Sequence, residues 1–292
     1  MAVYSQKAFK NLCSIASTMR GAPKIPIVIL VMVCMAAIFA PLIAQHSPTV
    51  GSLSDRMMPP FWAKGGSLNY PMGTDALGRD MLSRVIFGTR ISLSIALLAV
   101  FFAGSIGTTV GLVSGYFGGP IDVFLMRMVD IALSIPLILL AIILAAALGV
   151  SFTNIIVVIV LLLWPYYARQ VRGETLSIKE RDFVPLARVA NCSHTRIIWR
   201  HILPNVVPSL LVLATLQAAF VILVESSLSF LGVGIPPPAP AWGLMVGEGR
   251  VYLASAWWLS FWPGLAIFLT VLSMNLFGDW LRDRLDPKLR QI

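Results

Sequence analysis

Charge is scarce in this sequence: Asp, Glu, Lys and Arg make up 12% of its 292 residues, against 58% hydrophobic. That excludes a soluble protein with one ordinary core, which could not hide so much apolar side chain, and leaves lipid to cover the excess. Cysteine is nearly absent, and Cys13, Cys34 and Cys192 are an odd number, so no disulfide framework is expected. The three histidines, His46, His194 and His201, fit no metal-ligand spacing, so no metal site is expected. No Gly-Lys pair occurs anywhere, which excludes a phosphate-cradling P-loop, and any ATP must be hydrolysed by another subunit. A Gly-x-Ser-x-Gly elbow, a paired-aspartate arrangement and a His-Glu-x-x-His helix are missing too, so an intramembrane hydrolase is unsupported.

What the sequence has is long apolar runs. Six stretches reach the roughly 20 residues needed to cross about 30 Å of hydrocarbon as a helix: residues 25–44, 91–113, 123–148, 154–171, 206–230 and 257–279. The first is too long for a signal-peptide core and lacks a convincing cleavage pattern, so it reads as a retained anchor. Residues 149–153 alone join the third and fourth runs, which predicts an antiparallel pair.

Basic residues set the orientation. Lys7, Lys10, Arg20 and Lys24 precede the first span without an acid, and residues 169–200 hold seven basic and three acidic side chains. Both belong on the cytoplasmic side. The tail, with Arg282, Arg284, Lys288 and Arg290, then ends there as well. The net charge of +9 is therefore a topology signal, and its scatter along membrane edges argues against nucleic acid as a partner.

Acids deep in the spans are few. Asp130 stands three residues from Arg127, on the same helix face, so the two can neutralise each other. Glu225 is either a residue lining the solute path or an acid close enough to the outer interface to stay hydrated. Pro136 and the Trp164-Pro165 pair are expected to break spans three and four. Trp242, Trp257, Trp258 and Trp262 read as an aromatic belt.

Residues 173–205 read as a structured loop. Asp182 is placed to cap a short helix, Pro185 falls in its first turn, and Phe183, Leu186, Ala187 and Ala190 form one apolar stripe. Asn191 tolerates a left-handed turn, and Ser193 can cap a second short helix through Ile197, Ile198 and Ile202, ended by Pro204. The hairpin either docks a partner or lies on the lipid surface.

Pro185-Leu186-Ala187, Asn191 and His201-Ile202-Leu203-Pro204-Asn205 together resemble the signature of bacterial binding-protein-dependent ABC permeases, with Pro185 where the family usually has Glu and Asn191 where it usually has Gly. Residues 70–84, with Gly73-Thr74-Asp75 and Gly78-Arg79-Asp80, resemble the dipeptide, oligopeptide and nickel permeases. Asp80 is a plausible N-cap there. Further matches run from Gly115-Tyr116-Phe117-Gly118-Gly119 to Asn275-Leu276-Phe277-Gly278-Asp279.

The resemblance implies an all-α membrane protein of six transmembrane helices with the MetI-like permease fold, both termini cytoplasmic. Its parts would be a cytoplasmic segment 1–24, an anchor 25–44, an extracytoplasmic region 45–90, a permease core 91–280 and a tail 281–292. It implies a second related permease, two ATP-binding subunits that hold ATP and Mg, an extracytoplasmic solute-binding protein and the lipid bilayer of the bacterial inner membrane as partners, with no cofactor in this chain. The loop carrying Asp182, Phe183, Pro185, Leu186, Ala187, Ala190, Asn191, Ile198, Leu203 and Pro204 would couple to the ATPase. Gly73, Thr74, Asp75, Gly78, Arg79 and Asp80 are candidates for contact with the extracytoplasmic partner. Di- or oligopeptides are the expected cargo; nickel chelates, glutathione or another small solute, or a stand-alone channel or secondary transporter, are the alternatives.

Overall fold

The computed structural model describes residues 21–285, so Lys7, Lys10, Arg20, Cys13, Lys288 and Arg290 lie outside the described residues. Among the described residues the elements are helical, with one isolated bridge between Thr74 and Asp80. The long helices are α1 (Lys24–Ile43), α2 (Met81–Phe117), a bent pair α3 (Gly119–Ser134) and α4 (Leu137–Leu148), α5 (Phe152–Lys179), α8 (Leu203–Phe230) and α10 (Trp258–Leu285). Shorter ones are α6 (Phe183–Val189), α7 (His194–Ile197) and α9 (Trp242–Gly249). Five helices are long and apolar enough to cross a membrane; α3 and α4, which meet at a bend of 89°, satisfy the same requirement of length and composition together, and the number is six when that pair counts as one span.

The bend has a local cause. Ile135, directly before Pro136, is extended at φ −91° and ψ 132°, because the proline ring crowds the preceding residue out of the helical region. Pro165, by contrast, does not break α5, which continues through it to Lys179. This corrects both the expected break and the expected end of the fourth span near residue 171. α2 and α10 also outrun their apolar runs, α2 from its start at Met81 and α10 by reaching Leu285.

α2 and α5 pack closest, along Gly107, Gly111 and Gly115. A methyl group on Gly111 would lie 2.6 Å from the Ala168 carbonyl oxygen, and one on Gly115 would lie 2.7 Å from Thr175 Cβ. Small residues at this spacing let backbones approach where lipid offers no hydrophobic drive to associate. A core of Ile95, Ala99, Ile159, Leu163 and Ile222 continues to Trp242. A second core, with Leu112, Tyr116, Val171, Ile178, Val184, Ile197 and Val206, lies at the other end of the bundle and includes the loop after α5.

Two of the four tryptophans are not belt residues. Trp242 and Trp258 are buried, and their indole N–H groups donate to the carbonyls of Val85 (2.9 Å) and Thr74 (3.1 Å). They pin α9 and α10 to α2 and to the segment ahead of it. In that segment Asp80 caps α2, accepting from Leu82 N at 3.3 Å and Ser83 N at 2.9 Å, as its sequence position predicts. Gly78 turns with φ 72° directly against the Ser52 backbone, where only glycine fits.

Candidate functional site

α5 departs from its apolar pattern on one side. Arg169, Gln170, Glu174 and Ser177 share a face with Tyr166 and Gly173, and Gln170 Nε2 donates to Glu174 Oε1 at 2.8 Å. Across from them α8 presents Asn205, Ser209 and Gln217, and α10 adds Arg282. These side chains border two adjoining hollows of about 470 and 540 Å³ that share Gln170, Glu174, Ser177 and Leu213. The result is a polar trough along one side of an otherwise apolar bundle. It offers amide, carboxylate and hydroxyl partners to a solute whose own polar groups cannot enter lipid unpaired. At its edge Arg169 Nη2 donates to Asp130 Oδ1 at 3.0 Å. Asp130 is therefore paired across to α5, and the expected Arg127–Asp130 pair is corrected. The sequence carries a signal for the trough: Tyr166, Gln170, Glu174 and Ser177 are spaced by four, four and three, a polar stripe at helical period that continues past the apolar run 154–171.

The loop after α5 is a packed helix-turn-helix. Val184 and Ala187 bury against Ile178, Ile197 and Ile202, with Phe183 half-buried, while Leu186 (66% exposed), Val189 (86%) and Ala190 face outward. The expected stripe of Phe183, Leu186, Ala187 and Ala190 is thus split, because the short helix docks through Val184 instead. Asp182 is itself helical and makes no side-chain cap, which corrects its assigned role. Pro185 lies in the first turn, where its missing N–H costs no bond. Asn191 takes φ 56°, and the Cys192 N–H returns to the Ala187 carbonyl at 3.0 Å, closing the helix.

Ser193 caps α7 by accepting from Arg196 N at 3.4 Å. Pro204 does not end that helix. The chain opens into a π-helical turn at Ile198–Ile202, with Leu203 N bonded to the Ile198 carbonyl, and runs straight into α8. Pro204 lacks the N–H that an α-turn would require, and the wider turn absorbs the defect. Asn205 Nδ2 then donates to the His201 carbonyl at 2.7 Å. Ile198 and Leu203 are half-buried beside this turn, and Pro204 is exposed.

Two further sites differ from expectation. Glu225 has no exposed surface: its carboxylate accepts from Ser229 at 2.7 Å and Ser92 at 3.4 Å, and Ser229 accepts from Ile235 N at 3.1 Å. In this arrangement it neither lines a path nor meets water; it ties α8 to α2 and to the chain leading to α9. The residues from Gly73 to Asp80 are also turned inward. Asp75 accepts from Arg79 Nε at 2.6 Å and Arg84 Nη1 at 2.7 Å, and Arg84 Nη2 reaches Glu248 at 3.0 Å. Gly73, Thr74, Asp75, Gly78, Arg79 and Asp80 are all buried, so they form an internal clasp joining this segment to α2 and α9, and not a partner-facing surface. Leu77, at the turn, is the exposed one. Nearby Tyr70 donates to Asp55 Oδ2 at 3.1 Å, and that bond to a carboxylate raises the phenol above its ordinary pKa.

Residues 107–291 match the family described as "Binding-protein-dependent transport system inner membrane component". The chain belongs to this family. Membership makes it a membrane-spanning component of an ABC importer in the inner membrane and implies ATPase and solute-binding subunits as partners. Among curated relatives, the chain is 41% identical to the dipeptide transport system permease protein DppC of Haemophilus influenzae over 93% of its own length and 92% of that protein's. It is 41% identical to the probable D,D-dipeptide transport system permease protein DdpC of Escherichia coli over 89% of this chain and 86% of that one. The glutathione transport system permease protein GsiD of Pectobacterium atrosepticum is 43% identical over 78% of this chain and 75% of that one. In three dimensions the permease resembles an inward-facing form of the MetNI methionine ABC transporter, with a TM-score of 0.57 at 19% identity over 70% of this chain and 97% of that chain. Fold and family agree.

Proposed function

We propose that this permease forms one half of the translocation path of an ATP-driven importer of di- and oligopeptides, with ATP hydrolysed in its partner subunits. The polar trough of α5, α8 and α10 carries the reading, because a peptide crossing lipid needs hydrogen-bond partners along its way. The peptide permeases that match most of the chain support the cargo. A second related permease would complete the path, two ATP-binding subunits would drive it, and an extracytoplasmic solute-binding protein would deliver to it. Both termini would lie in the cytoplasm, as the basic residues at 169–200 and near the ends argue. Residues 45–90 would then be extracytoplasmic, and 173–205 would couple the core to the ATPase through the outward-facing Pro185, Leu186, Val189 and Ala190. Closure of the nucleotide subunits would move this loop and with it the directly continuous α8.

The experiment is uptake of labelled dipeptide into proteoliposomes holding the whole importer. Glu174→Leu and Gln217→Leu are expected to lower uptake at least tenfold, about the effect of 1.4 kcal/mol of lost stabilisation, while the complex still assembles. Unchanged uptake by both variants, or uptake that survives replacement of residues 182–204 by a flexible linker, overturns the reading. Glutathione is the second cargo, favoured by the likeness to the glutathione permease. Competition between unlabelled glutathione and dipeptide in the same vesicles decides between the two.

A further inference from the structure

α8 carries two unlike faces. Asn205, Ser209, Leu213 and Gln217 look into the trough, while Leu203, Val207, Leu211 and Ala214 sit on the opposite side and border a groove of about 750 Å³ against α2. The groove lies within the size range of sites that bind small molecules. Its α2 wall runs from Leu97 to Phe117, about 30 Å at 1.5 Å per residue. That exceeds one leaflet's share of a hydrocarbon core about 30 Å thick. The walls are apolar and open: Leu97 is 68% and Phe101 66% exposed. The floor is the buried ring of Tyr167, reached across Gly104, where a methyl would lie 3.5 Å from Cε1. The Tyr167 hydroxyl makes no hydrogen bond among the described residues.

One end of the groove is different. There α7 and the π turn place Thr195 and Trp199 on the rim, with Trp199 62% exposed, and Arg196 and Arg200 directly follow these two residues in the chain. Both arginines are exposed, and neither forms an ion pair among the described residues. No acid occurs in the sequence from residue 183 to 224. His194 Nδ1 meets the Tyr116 hydroxyl at 2.7 Å and fixes this end of the groove to α2. The site therefore joins a long apolar slot to a local positive charge with an interfacial tryptophan between them.

We propose that this groove is a lipid site that takes one acyl chain of an anionic phospholipid, with the phosphate of its headgroup held by Arg196 and Arg200. An apolar chain fills the slot, Trp199 sits at headgroup depth as indoles do, and the two arginines supply the charge that a neutral lipid would leave unmet. The proposal rests on the reading that the trough, on the other face of α8, is the solute path. The bound lipid would brace the π turn through which movement of the loop reaches α8.

The test uses the complete importer in vesicles doped with phosphatidylglycerol or phosphatidylcholine carrying the same photoactivatable acyl chain, with the labelled peptides located by mass spectrometry. The expected result is labelling of residues between 97 and 117 and between 203 and 214, stronger with phosphatidylglycerol. Arg196→Gln with Arg200→Gln should lower that preference about thirtyfold, on the order of what two arginines contribute at an anionic surface. These exposed positions leave the core intact; Ala214→Phe is a second variant, which fills the slot and should lower labelling with both lipids. Equal labelling by the two lipids, a preference that the double variant leaves intact, or cross-links from Phe101 and Trp199 to the second permease in place of lipid would each overturn the proposal. Peptide uptake is measured in parallel: lipid labelling without uptake tells against the solute path, and uptake without labelling tells against the lipid site.

Discussion

Arg172 grips Asp122 with two parallel hydrogen bonds, 2.6 Å from Nε and 2.7 Å from Nη2, and so clamps α5 to the first turn of α3. Asp122 also accepts from Ser114 on α2, so three helices meet at one carboxylate. Bidentate geometry is specific to guanidinium. Arg172→Lys is expected to lose one bond and lower stability by about 1.5 to 3 kcal/mol, the usual worth of a hydrogen bond to a charged group. A double-mutant cycle with Asp122→Ala, read by thermal unfolding in detergent, measures the coupling; additive losses would contradict the clamp.

The Gly111 position tests the closest helix approach. Gly111→Val places a branched side chain against the Ala168 carbonyl and Val171, neither of which can retreat without moving α5. The variant should unfold at a lower temperature than wild type, by the equivalent of about 1 to 3 kcal/mol. Gly118→Val, where nothing lies within 4 Å but φ is 67°, separates strain at a turn from a clash between helices.

Asn191 holds the loop's turn with φ 56°. Asn191→Ala should cost on the order of 1 to 2 kcal/mol, the left-handed penalty for a side chain that gains no local bond. Asn191→Gly should be neutral or slightly favourable. Peptide-stimulated ATPase activity should follow the same order, falling with Ala and persisting with Gly; the reverse order would detach the turn from coupling.

Tyr70 provides the pH dependence. Its pKa is raised above the ordinary 10.0 by the bond it donates to Asp55. A group raised on folding contributes stability that is fully present below its unfolded pKa and is lost as pH climbs through the folded one. The segment between α1 and α2 should therefore loosen above about pH 10, seen as tyrosinate absorbance titrating later in wild type than in an unfolded control. Tyr70→Phe should remove the alkaline dependence while leaving neutral stability within about 1 kcal/mol.

Much of this fold is legible in one dimension. Apolar runs of about 20 residues identify the spans, since lipid demands length and hydropathy before anything else. Asp80, Ser193 and Asn191 announce their caps and turn, because these depend on backbone groups only two to four residues away. Pro136 does the same for its bend, acting on the residue before it.

Pairings between distant segments were not legible. Asp130 chooses Arg169 over Arg127, and Glu225 disappears between Ser92 and Ser229, because helix rotation decides which way a side chain faces. The Gly73 to Asp80 motif reads like a contact surface, yet it folds inward on Arg84 and Glu248, the latter 173 positions beyond Asp75. By itself the sequence determined a membrane-embedded helical permease and, within its loop, the Ser193 cap and the Asn191 turn, set by solvent and short-range backbone chemistry; the roles of Asp182 and Pro204 and the buried face of the short helix were decided by packing. Only the tertiary structure decided which face of α8 borders the polar trough and which borders the apolar groove, because that depends on how α2, α5 and α10 pack around it.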